Sequence, residues 1–193
     1  MKINSQNWDQ HDYGYEVPAC SRRELLEIAN SVHKAVGYKG EGLFPILHLV
    51  EKVFPVVYGK YDFMVVSGKE LGNKMGETFP NEHVMKIRED IYDAACAGNA
   101  FARSTIGHEA SHQIKHEGIQ LAFARKANSD LPAYKSSEWQ ANALSGALLM
   151  PCSKISSLSI DEICDRYKVT RSAARTQKNA VEKEMRYGVI PFL

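Results

Sequence analysis

Apolar positions recur at helical spacing over SRRELLEIANSVHKAVGY, where Leu25, Ile28, Ala29, Val32 and Val36 fall on one stripe. Ser21 stands as N-cap with Glu24 three residues on, the pattern of a capping box, and Gly37 is placed to stop the helix. A second helical segment is expected through Ile46, Leu47, Leu49, Val50 and Val53, ending before Pro55 because proline cannot supply the N–H that a helix interior needs. Between Val56 and Tyr92 the texture changes. YDFMVVSG and HVMKIREDIY carry β-branched and aromatic residues, and GNKMGETFPN reads as turns around a short strand. This predicts a small, mostly antiparallel sheet.

From Ala100 the helical period returns. NAFARSTIGHEASHQIKHEG follows a turn at Gly98 and Asn99 and stops at Gly118. After a loop containing Pro132 comes a further helix, SSEWQANALSGALLMP, closed by Pro151. The remainder, SIDEICDRYKVTRSAARTQKNAVEKEMRYG, reads as helix, turn and helix. Residues before Ser21 are polar and aromatic without a period and form an arm. The expected fold is α+β: a small sheet packed on the helix bearing HEASH and on a following helix bearing a glutamate, with a short helical tail. The expected divisions are an arm at 1–20, a main domain at 21–155 and a helix-turn-helix-like tail at 156–193.

HEASH carries the chemistry. At about 100° of rotation per residue, His112 lies about 40° from His108 and one turn along, so both imidazoles leave the same face. Two such nitrogens can meet one divalent ion. Glu109, about 100° round from His108, is poorly placed as a ligand. In the H-E-x-x-H pattern that carboxylate is the general base that takes a proton from an acidified water. His116 lies about 12 Å along the axis from His108 and cannot share the ion with both partners, so it reads as a surface or packing residue. A catalytic site needs one more protein ligand and an open position. Glu138 is the best candidate, and Asn142, one turn on, can accept a hydrogen bond from the free ring N–H of a ligating histidine. The competing reading of the stretch is a helix that merely happens to carry histidines.

Composition narrows the setting. The 193 residues can bury a core unaided, and a formal net charge of +1 gives no global field for nucleic acid or a membrane surface. Cys20, Cys96, Cys152 and Cys164 are scattered without a C-x-x-C pair and read as free thiols in a reducing compartment. The N-terminal stretch lacks an apolar secretory core, and LFPILHLV is too short to span a bilayer. A cytoplasmic protein without membrane partners is expected. In the tail Arg171, Arg175 and Lys178 line one face, but from Asp161 onward seven Lys/Arg stand against five Asp/Glu. That weak basic balance favours a helical pair that caps the domain or docks protein over direct DNA binding. Tyr92 and Tyr134 are both candidates to stabilise an oxyanion, and the sequence does not choose between them.

HEASHQIKH followed by EWQANALSGALLMP resembles the ImmA/IrrE family of metallopeptidases, whose members show H-E-x-x-H and then E-x-x-A-N ending in L-L-M-P. The resemblance runs from Ile28 to Tyr187. It implies one zinc ion (Zn2+) on His108, His112 and Glu138, with Glu109 as catalytic acid/base. It further implies a cytoplasmic prokaryotic or phage protein that cleaves helix-turn-helix repressors and so switches on genes of mobile elements or stress responses. Ser111, Leu144 and Ala147 depart from residues frequent in the family, and none of them is an expected ligand. The alternative class is a binding module or anti-repressor that sequesters a repressor, or binds DNA through its tail, without cutting.

Overall fold

Short polar residues at helix starts set the ends of most long elements. The computed structural model describes residues 14–119 and 130–188. In α1 (Arg22–Ala35), Ser21 Oγ accepts from the Glu24 N–H and the Glu24 carboxylate accepts from the Ser21 N–H, the reciprocal capping box expected. Asn99 accepts from the Ala102 N–H to open α6 (Ala100–His116), and Ser136 accepts from the Trp139 N–H to open α7 (Ser137–Leu149).

The second helical segment departs from expectation at Pro55. Helix α2 (Ile46–His48) runs through a π turn (Leu49–Val53) directly into α3 (Phe54–Tyr58), so the rod continues past the proline. The Phe54 N–H donates to Leu49 O, five residues back. Widening the turn just before Pro55 relieves the clash of its ring with the preceding turn, where a regular helix would break.

The sheet has three strands, β1 (Asp62–Val66), β2 (Gly76–Phe79) and β3 (Val84–Arg88), in the order β1-β3-β2. It is mixed rather than mostly antiparallel: β2 pairs antiparallel with β3, but β1 pairs parallel with it, Asp62 opposite Val84. The reason lies in α4 (Gly68–Leu71), which follows β1 and is joined to β2 on the far side of β3. The β2–β3 hairpin then returns β3 to the middle, running in the same direction as β1. Alternating hydrophobicity reports a strand and its faces but not its direction. HVMKIREDIY also divides: the strand ends at Arg88, and α5 (Glu89–Cys96) begins with Glu89 and Asp90, acidic residues that suit the positive end of the helix dipole.

The core gathers between these elements and the two long helices. Phe44, Ile87, Ile106, Leu144 and Leu148 are fully buried. Helices α6 and α7 pack on one another where Gly107 meets Ser145 and Leu149. A Cβ on Gly107 would sit 2.8 Å from Ser145 Oγ and 3.3 Å from Leu149 Cδ1, so this approach requires glycine. Helix α7 also packs on α1, where the His33 Nε2–H donates to Leu148 O at 2.8 Å.

The tail, α8 (Cys152–Ile155), α9 (Ile160–Tyr167) and α10 (Arg171–Arg186), is part of this body. Tyr167 is fully buried and donates to Gly40 O at 3.1 Å, and Gly146 of α7 leaves room for Gln177 of α10. Of the basic face expected on α10, Arg171 ion-pairs with Asp161, and Lys178 Nζ donates to Ser156 O and Leu158 O at 3.1 and 2.6 Å. At the other end, residues 14–20 form a strap along residues 134–137, bridged antiparallel at Glu16 and Ser136. Residues 1–13 of the expected arm, the central part of the loop before Pro132, and residues 189–193 lie outside the described residues. Among the described residues no helix is long and apolar enough to cross a membrane.

Burial holds the His33 imidazole below its ordinary value of 6.5, outweighing the opposing hydrogen bond to Leu148 O. A histidine depressed in this way contributes stability while neutral, above about pH 6.5, and loses it as pH falls through its folded value. The thermal midpoint should therefore drop as pH is lowered from about 7 to about 5, and His33→Gln should flatten part of that slope. Equal slopes for the two proteins would place the proton uptake elsewhere.

Candidate metal centre

Helix geometry does what the spacing of HEASH requires. His108 and His112 project from one face of α6 with their Nε2 atoms 3.0 Å apart. From α7, Glu138 Oε2 lies 3.1 Å from His108 Nε2 and Glu138 Oε1 lies 3.2 Å from His112 Nε2. Among the described residues, His108, His112 and Glu138 are the group of three that can hold a metal ion. The carboxylate reaches the imidazoles because α6 and α7 approach at Gly107, one residue before His108. The His108 side chain is 6% exposed, against 29% for Glu138, so the cluster is walled in on the α6 side and open on the other.

The donor set fits a cation. Asn142 Oδ1 lies 3.0 Å from His108 Nδ1, so the ring proton of His108 sits on Nδ1 and the Nε2 lone pair faces the cluster. Zinc at about 2.0–2.1 Å from each of three tetrahedral donors demands edges of about 3.3–3.4 Å, close to those observed. The electrostatics agree. Burial pushes the Glu138 carboxyl up, but hydrogen bonds and charge from His108 and His112 hold it well below the usual carboxylate range. Burial likewise lowers His108, yet the hydrogen bond to Glu138 and the charges of Glu109 and Glu138 raise it overall. These groups together attract one positive charge into the gap between them.

Glu109 leaves α6 on a different side and meets the sheet. Thr78 Oγ1 donates to Glu109 Oε2 at 2.7 Å and lies 3.2 Å from Glu109 O. Gly76, two residues earlier on β2, is the other half of this contact: a Cβ there would sit 2.8 Å from Glu109 Cγ. Neither residue was singled out from the sequence. The glycine within a short strand was a usable sign of close backbone approach, and Thr78 shares its face at i, i+2. No local spacing ties either one to α6.

The other candidates fall as follows. His116 is buried, with Nδ1 3.0 Å from His112 Nδ1, which settles the surface-or-packing alternative in favour of packing. Burial and the neighbouring His112 lower its imidazole to about 3, so it is neutral. The Tyr92 hydroxyl donates to Glu51 at 2.8 Å, while Tyr134 has a half-exposed ring beside the start of α7. Cys96 is exposed at the end of α5 and is no part of the cluster.

The family model of the IrrE N-terminal-like domain, a peptidase family, matches residues 69–177, from α4 into α10. The chain belongs to this family. With its His-His-Glu cluster it is a metallopeptidase, and its substrate is a protein. No curated protein sequence matches the chain closely enough to add a relative.

If the close approach of α6 and α7 holds the cluster together, Gly107→Val should cost about 1–3 kcal/mol by overpacking against Ser145 and Leu149. Urea unfolding reads this directly, and an unchanged midpoint would show that the helices have slack at this point.

Proposed function

We propose that the chain is a zinc-dependent endopeptidase in which His108, His112 and Glu138 hold the ion and Glu109 is the general acid/base. The observation that carries the reading is the convergence of two imidazole Nε2 atoms and one carboxylate within 3.0–3.2 Å of one another, with solvent access on one side. A zinc ion there would polarise a scissile carbonyl and acidify a water. The protein's own part follows from the side chains. Asn142 fixes His108 in the Nδ1–H tautomer. Thr78 holds one oxygen of Glu109, leaving Oε1 to take the proton of the attacking water and then deliver it to the leaving amide nitrogen. Gly76 lets the strand lie close enough for Thr78 to do this.

The substrate we assign is a regulatory protein, a helix-turn-helix repressor, whose cleavage derepresses genes of a phage or mobile element. Support for that choice is the family resemblance. The tail favours docking protein over DNA, because Lys178 is turned onto the carbonyls of Ser156 and Leu158 and Arg171 is neutralised at the surface by Asp161. A reducing, cytoplasmic setting fits the free thiols.

Two variants test the reading. Glu138→Ala should abolish stoichiometric zinc by metal analysis. Glu109→Gln should retain zinc and fold while cleavage of a panel of helix-turn-helix regulators falls by about 10²–10⁴. Thr78→Val should keep zinc and lose a smaller part of the rate. Derepression that persists undiminished in Glu109→Gln cells would mean the protein works by binding rather than cutting.

A further inference from the structure

With one proton on each ring, the hydrogen bonds behind His112 fit a single arrangement. Gln140 Nε2 donates to Pro18 O at 2.9 Å and to Tyr134 O at 2.8 Å, so its Oε1 points the other way, as an acceptor. That oxygen lies 3.3 Å from His116 Nε2, which must therefore carry the ring proton. In a neutral ring His116 Nδ1 is then the acceptor, and the atom 3.0 Å from it, His112 Nδ1, must be the donor. His112 Nε2 is thus left with its lone pair directed at His108 and Glu138. The amide of Gln140 cannot be reversed without setting its oxygen against two carbonyl oxygens. The chain of four groups starts on the strap and ends on a metal-binding nitrogen.

A second contact joins the same strap to the same centre. Ser137 and Tyr15 exchange hydrogen bonds, Tyr15 N–H to Ser137 Oγ and Ser137 N–H to Tyr15 O, each at 3.0 Å. Gly14, at φ +65°, lies so close to Glu138 that a Cβ would meet Glu138 Cγ at 2.7 Å and Ser137 Oγ at 2.3 Å. The strap therefore touches two of the three candidate ligands, His112 through two intermediaries and Glu138 directly.

We propose that His116 and Gln140 are positioning residues of the metal centre, and that they and Gly14 hitch it to the strap at residues 14–20, so that strap docking and metal affinity are linked. The inference rests on the zinc-centre reading above. His116 fixes the tautomer and ring orientation of His112, and Gln140 holds His116 only while Pro18 and Tyr134 hold Gln140. The linkage runs in both directions: whatever frees the strap weakens metal binding, and metal binding steadies the strap by the same factor.

The test uses the full chain with zinc as the probe. His116→Phe and Gln140→Leu should weaken zinc binding by about 10–100-fold in chelator competition, and Gly14→Ala by about 10-fold, at a temperature where each variant is folded. In wild-type protein, ¹⁵N spectra of the metal-free form should show His116 protonated at Nε2 and bare at Nδ1. Amide exchange at Val17 and Cys20, whose N–H groups bond to Lys135 O and Tyr134 O, should slow on adding zinc. A His116 proton on Nδ1, or strap exchange indifferent to zinc, overturns the proposal even if a variant fails to fold. Variants that bind zinc like wild type overturn it too. A wild-type chain that takes up no zinc would instead remove the zinc-centre reading, while the His116 tautomer stands as a separate result.

Discussion

Everything at the centre depends on how closely two helices approach. Helix α6 supplies two imidazoles and α7 supplies a carboxylate, and these meet only because Gly107 offers no side chain where Ser145 and Leu149 pack. Interiors packed to native density transmit a displacement rather than absorb it. A helix pushed outward at Gly107 would therefore carry Glu138 and Asn142 away from His108 together. The same contact explains why the candidate ligands need no loop: each stands on a helix with a capped start.

Around this contact the molecule uses two other elements, and α7 itself, to orient the side chains that the two helices present. Strand β2 brings Thr78 to Glu109 and leaves space for it at Gly76. The strap brings Pro18 O to Gln140 and so, through His116, orients His112. Helix α7 itself brings Asn142 to His108. Each ring nitrogen that faces away from the cluster has a partner, which turns the inward nitrogens towards Glu138 and towards one another. Two imidazoles and a carboxylate drawn this close together are stabilised by a cation or a proton between them.

The cations of the tail are drawn on by the packing of the tail itself. Helix, turn and helix with cations on one face resembles a nucleic-acid reader. In the folded chain Lys178 is turned onto the carbonyls of Ser156 and Leu158, and Arg171 onto Asp161. Helix α10 also buries Ala174, Gln177 and Val181 against the body of the domain. The family match extends into this helix, to residue 177.

Helix ends and the shared face of His108 and His112 were legible in the linear chain, because they depend on interactions within a few residues: a capping side chain, a 3.6-residue period, one turn of spacing. Glu138 and Asn142 were legible as candidates from their spacing on the following helix and from the family motif, not from any local contact with His108. Strand direction, passage of the helix through Pro55, burial of His116 and the contacts of Thr78, Gly76, Gly14 and Gln140 were not. Each depends on two segments far apart in sequence, such as Thr78 and Glu109 or Pro18 and Gln140. Periodicity along one chain carries no information about which distant backbone comes to lie across it, and only tertiary packing decides that.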